Sequence, residues 1–185
     1  EVAYIIKHSD SKICFAENPT QASRIISSLE NDSALEAVVL LTGLPEEITV
    51  AIPQKLAVYT FDQLVEDGRE KYDSLKDKLE SVRKEVNEET LATIIYTSGT
   101  TGVPKGVMLS HGNMLTDIYS MLTMIFPTEK DRWISVLPVW HVYERTIEYA
   151  IIVIGSSMAY SKPVSKYLLP MLTEIQPTYM VFVPR

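Results

Sequence analysis

The chain has 185 residues, 46% of them apolar, and a formal net charge of −7 at pH 7. A pI near 5.0 leaves no basic surface of the kind that nonspecific nucleic-acid binding needs, so nucleic acid is not expected as a partner. Cys14 is the only cysteine, which rules out an intrachain disulfide and makes a reducing, cytoplasmic compartment the simpler expectation.

Val2, Tyr4, Ile5 and Ile6 read as part of a helix, and Lys12 to Ala16 as a short strand. Asn18 and Thr20 are candidate caps for a helix over about Gln21 to Leu29, with Ala22, Ile25, Ile26 and Leu29 on one face. Ala37 to Leu41 is apolar throughout, as a strand buried on both faces would be. Strand, helix and strand in that order predict a parallel βαβ unit. Leu44 to Leu56, broken by Pro45 and Pro53, reads as an irregular connection, and Thr60 to Leu64 opens another helix. Asp67 to Glu89 is the most charged stretch. Leu75 and Leu79 give it only a narrow apolar side, so a solvated helix face followed by a connector is expected.

Leu91 to Tyr96 and Gly106 to Leu109 predict two further strands. Asn113 to Phe126 carries Met114, Ile118, Met121 and Ile125 at helical spacing. That stripe suits ordinary core packing better than an acyl channel, and Pro127 ends the helix. A strand over Trp133 to Leu137 stops at Pro138. Then follow a helix from Glu144 to Ile154, a strand from Ser157 to Tyr160, a helix from Val164 to Ile175 despite Pro170, and a strand from Tyr179 to Val183. The longest apolar run, Tyr149 to Ile154, is far shorter than the roughly 20 residues of a membrane span. The alternation predicts an α/β fold of mostly parallel sheets with helices packed on both faces. Residues 1–90 would hold a first βα region and the connector, and residues 91–185 the chemistry, within one partial domain.

Between the two middle strands lies Thr97-Ser98-Gly99-Thr100-Thr101-Gly102-Val103-Pro104-Lys105-Gly106. Glycines let the backbone approach an anion closely, and successive N–H groups can form an anion-binding concavity. Thr97, Ser98, Thr100 and Thr101 add hydroxyl donors, and Lys105 adds a mobile positive charge. A nucleotide polyphosphate suits such a loop. The P-loop pattern of NTPases is excluded, because it puts Gly directly before Lys. Here Pro104 precedes Lys105 and removes an N–H.

From Tyr96 to His111, YTSGTTGVPKGVMLSH is similar to the phosphate-binding signature of the adenylate-forming superfamily: acyl-CoA synthetases, firefly-type luciferases and peptide-synthetase adenylation domains. Leu137 to Arg145, LPVWHVYER, resembles the LPxxHxxER segment of its long-chain fatty-acid branch. The likeness extends more loosely over nearly the whole chain. It implies the N-terminal domain of a synthetase that activates a carboxylate with ATP as acyl-AMP, then transfers the acyl group to the thiol of CoA or of an acyl carrier protein.

By the resemblance, Thr97, Ser98, Gly99, Thr100, Thr101, Gly102 and Lys105 would hold the phosphates, and Lys105 would also be catalytic. His141, matching the family's His near the carboxylate and adenylate, would be catalytic as well. Trp140, His141 and Glu144 would line the acyl site, with Glu144 and Arg145 forming an ion pair or orienting His141. Mg²⁺ is expected, its protein ligands left open. His111 stays outside the site, as a residue that caps or satisfies backbone. Trp140 and Tyr143 depart from the commoner small or aliphatic choices, which leaves the acyl-chain preference open.

The family's adenine-binding Tyr-Gly-x-Thr-Glu stretch, its ribose-binding Asp and its small C-terminal domain with a catalytic Lys are absent from the chain. The resemblance puts them beyond Arg185. The chain is therefore expected to be an internal piece that binds nucleotide weakly by itself and makes no thioester. Adenylation of an amino or aryl acid, and a non-catalytic nucleotide-binding module, are the alternatives. The Glu-Arg after His141 weighs against the first and the intact loop against the second. A peripheral bilayer contact would suit a long-chain acid, although no basic amphipathic helix supports one. The oligomeric state is left open.

Overall fold

Ala37-Val38-Val39-Leu40 is apolar at every position and forms the fully buried middle strand of a parallel sheet. The computed structural model describes residues 1–30, 33–98 and 102–183. The chain falls into two compact units, Glu1–Val86 with Ile94–Val107, and Asn87–Thr93 with Met108–Arg185.

The first unit opens with helix α1 (Val2–His8), strand β1 (Ile13–Ala16) and helix α2 (Pro19–Ser28). The Asn18 side chain caps α2 by accepting the Gln21 amide at 3.0 Å, leaving Thr20 inside the helix. Strand β2 (Ala37–Leu40) and strand β3 (Ala57–Thr60) follow, and the sheet order is β1-β2-β3, all parallel. Val38 and Val39 point to opposite faces, yet both are fully buried. At roughly 1.5–3 kcal/mol for each buried aliphatic side chain, such positions dominate the stability of the sheet.

The Leu44 to Leu56 connection contains only a 3-10 turn at Pro45–Glu47. Strand β3 was not expected. Its last residue, Thr60, also caps helix α3 (Phe61–Glu85) by accepting the Gln63 amide, while Gln63 accepts the Thr60 amide. As the charge pattern predicted, α3 buries no residue, and exposed pairs such as Lys71–Asp67 line it.

Strands β4 (Leu91–Thr97) and β5 (Lys105–Ser110) pair with each other in a two-stranded sheet. The link from Ser98 to Pro104 is too short for a parallel crossover, which takes about a dozen residues, so the pair is an antiparallel hairpin.

The second unit continues with helix α4 (His111–Met124), capped by Ser110, and strand β6 (Arg132–Ser135). Then come helix α5 (Val142–Ile154), strand β7 (Ser157–Tyr160), helix α6 (Ser165–Ile175) and strand β8 (Tyr179–Met180). Helix α6 carries Pro170 in its interior, at the cost of one helical hydrogen bond. The last strand is shorter than the apolar run predicted.

The parallel order is β7-β6-β8. The chain leaves β6 to one side, then crosses back to its other side. Right-handed crossovers in opposite directions put α5 and α6 on opposite faces. Met114 and Ile118 are buried, and Met121 packs against the Trp133–Ile147–Ile151 cluster, so the methionine stripe is mainly core. No helix among the described residues is long and apolar enough to cross a membrane.

Candidate functional site

Tyr96, next to last in β4, sets the stem of the Gly-rich loop. Its ring lies against Gly106 on the facing strand. A Cβ at Gly106 would fall 2.8 Å from Ile94 Cγ2 and 3.3 Å from Tyr96 Cζ, so only glycine lets the strands close here. The Tyr96 hydroxyl lies 2.7 Å from His8 Nδ1.

Thr97 and Ser98 are exposed, and so is Lys105, the first residue of β5. Lys105 has no ion-pair partner among the described residues. Gly102 has a φ of +77°, in the left-handed region that glycine adopts without strain. Ser98, Gly102, Val103 and Pro104 line a cavity of about 520 Å³ together with Glu1 and Tyr4. Gly99, Thr100 and Thr101 lie outside the described residues. The Ser98 hydroxyl and the glycine backbone thus face this cavity, and Lys105 stands exposed on the strand that follows, a set of groups that suits an anion.

The turn after β6 carries the second group. In parallel sheets, ligands gather beyond the carboxyl ends of strands where the winding reverses, and β6 is the strand about which it reverses here. The His141 amide donates to Pro138 O at 2.9 Å. Its side chain caps α5, with Nδ1 accepting the Tyr143 amide at 3.3 Å. In the neutral ring the proton therefore sits on Nε2, which has no partner among the described residues. Trp140, 74% exposed, flanks it, as does the exposed Tyr143.

Glu144 is only 2% exposed, and its Oε2 has no hydrogen-bond partner among the described residues. Burial pushes its carboxyl up from the ordinary value. A hydrogen bond with Ser135 opposes the shift, and the Glu148 charge adds to it. Tyr160, paired across the sheet with Ser135, is likewise held high, by desolvation first and then by the Glu148 and Glu144 charges. The expected ion pair between Glu144 and Arg145 is corrected: Arg145 Nη1 donates to Thr93 Oγ1 at 3.1 Å. Adjacent residues on a helix point about 100° apart, so neighbours do not face each other.

Ser135, Glu148 and Tyr160 were missed by sequence reasoning. No sequence pattern marked them, because packing brings them together. His111 is the first residue of α4, its amide donating to Thr90 O at 3.0 Å. It also lines a mostly apolar cavity of about 320 Å³ with Met114, Ile118 and Tyr149.

Over residues 1–185 the chain matches the family described as AMP-binding enzyme. It is 34% identical to a chloroplastic long-chain-fatty-acid–[acyl-carrier-protein] ligase of Arabidopsis thaliana, covering 100% of this chain and 25% of that protein. Long chain acyl-CoA synthetase 5 of Arabidopsis thaliana is 32% identical, over 100% of this chain and 27% of its own length. The chain thus spans about a quarter of the length of the curated relatives it matches. Among solved structures, VinN superposes with a TM-score of 0.65 at 22% identity, covering 99% of this chain and 38% of VinN. O-succinylbenzoate CoA synthetase (MenE) from Bacillus subtilis, in complex with AMP, gives 0.57 at 19% identity, over 97% of this chain and 51% of that one. At these identities the superpositions show a shared fold.

Proposed function

The chain belongs to the AMP-binding enzyme family, and on that premise we propose that it is a segment of an ATP-dependent, AMP-forming long-chain fatty-acid ligase. The observation that carries the reading is the β4–β5 turn, where Ser98, Gly102 and Lys105 are exposed and Lys105 has no ion-pair partner among the described residues. The similarity to fatty-acid ligases supports the acid class.

In the first step the substrate carboxylate attacks the α-phosphorus of ATP, and pyrophosphate leaves with the electron pair of the broken P–O bond. Thr97, Ser98, the loop amides and Lys105 hold the leaving phosphates and offset the repulsion between anion and polyanion. His141 donates from Nε2 to the substrate carboxylate, while Trp140 bounds the acyl side. Glu144 supports the turn from beneath. In the second step a thiolate, from CoA or an acyl carrier protein, attacks the acyl carbon and releases AMP. The described residues contain no group of three or more carboxylate, imidazole or thiol ligands that could hold a metal. Mg²⁺, a cation that keeps few protein ligands, would neutralise charge on the nucleotide phosphates beside Thr97 and Ser98. A cytoplasmic enzyme that meets its acid at a bilayer surface completes the proposal.

The test is acid-dependent exchange of pyrophosphate into ATP by the full-length enzyme, across acids of increasing length. Exchange that rises with long acids supports the reading. Exchange confined to amino or aryl acids, or absent from a folded protein that binds ATP, refutes it.

A further inference from the structure

We propose that His8 is a positioning residue for the phosphate loop, holding Tyr96 at the loop's stem and thereby setting Ser98 and Lys105. The proposal rests on the reading of this loop as the ATP site. His8 ends helix α1 and meets Tyr96 with both an edge and a hydrogen bond. The rings are 5.7 Å apart at 79°, and Nδ1 lies 2.7 Å from the Tyr96 hydroxyl. Tyr4, one helical turn earlier, stacks on the His8 ring at 5.2 Å and 26°, which fixes that ring in turn. The Tyr96 ring also lies against Gly106. It is thus held between α1 and the residue next to Lys105.

Two residues after Tyr96 comes Ser98, which shares its cavity with Tyr4 and Glu1. Helix α1 therefore both anchors the stem and forms part of the cavity wall. Fixing Ser98 and Lys105 against a polyanion costs conformational entropy. An anchor that orders the stem beforehand removes part of this cost from binding. Either protonation pattern serves, because the phenol oxygen can donate to Nδ1 or accept from it. Neither the phosphates nor the acid needs to touch His8.

The experiment compares His8→Phe, Tyr96→Phe, the double variant and Lys105→Ala in the full-length enzyme. His8→Phe keeps an aromatic ring and Tyr96→Phe is nearly isosteric; each removes only the hydrogen bond. Each single variant should raise KM for ATP about threefold to tenfold, the loss expected for one net hydrogen bond. Both should leave kcat and KM for the acid unchanged, and the double variant should be no worse than either single one. Wild-type KM for ATP in the folded variants, with or without a lowered Tm, overturns the proposal, and so do additive effects in the double variant. The loop reading stands in those cases if Lys105→Ala abolishes ATP-dependent turnover. If Lys105→Ala has wild-type kinetics, the loop reading fails and the proposal fails with it.

Discussion

The two loops that carry candidate functional residues, one in each unit, are built in opposite ways. The turn between β4 and β5 is held by what its residues lack. Gly102 adopts a φ closed to most side chains, and Gly106 leaves room for the Tyr96 ring. Its polar groups, Thr97, Ser98 and Lys105, are exposed. The turn after β6 is held by what lies beneath it. Glu144 is buried against Ser135, and His141 serves as helix cap. In the first loop the residues proposed to act differ from those that hold the fold; in the second the proposed residues also hold the fold. Substitutions should separate activity from stability at one loop and change both at the other.

The largest effect is expected from Lys105→Ala. Removal of an oriented charge at an anionic transition state costs about 10²–10³ in kcat, and the exposed position predicts an unchanged Tm. A matching fall in Tm would break the contrast. His141→Ala comes next. Loss of an oriented hydrogen-bond donor costs about 10²–10³ in rate, and loss of the cap should lower stability by about 1 kcal/mol, readable by denaturant unfolding. Activity lost without stability would make the two loops alike.

Gly106→Ala should destabilise by about 1–3 kcal/mol, because its methyl would meet Ile94 and the Tyr96 ring. Unfolding measurements would show whether the hairpin tolerates a side chain there. The smallest effect concerns Glu144. Its folded pKa lies above its ordinary value of 4.5, so between the two values the folded state binds the proton more tightly than the unfolded one. Its contribution is therefore complete below about 4.5 and is lost as pH rises through the raised value. Glu144→Gln should flatten that decline in unfolding free energy with pH. An unaltered slope would place the cause elsewhere.

What could be read in advance followed from local patterning. The all-apolar run Ala37 to Leu41 suited a strand covered on both faces, which forms over Ala37–Leu40, and the glycine and hydroxyl pattern marked a loop between two strands. The misses were tertiary. Strand β3 is four residues long and ends on a residue that also caps a helix, so neither length nor turn signals set it apart. Arg145 reaches Thr93 rather than its neighbour Glu144, because helix geometry turns adjacent side chains apart. The His8–Tyr96 contact joins residues 88 positions apart, and no periodicity carries that information. The burial of Glu144 beside Glu148 contradicts the usual exposure of carboxylates, and packing alone reveals it.

The most direct measurement is the product of a single turnover, identified by mass, from full-length enzyme with ATP and hexadecanoic acid but no thiol. The account predicts acyl-AMP bound to the enzyme and pyrophosphate released in equal amount. Release of ADP and inorganic phosphate, with no adenylate formed, would contradict it.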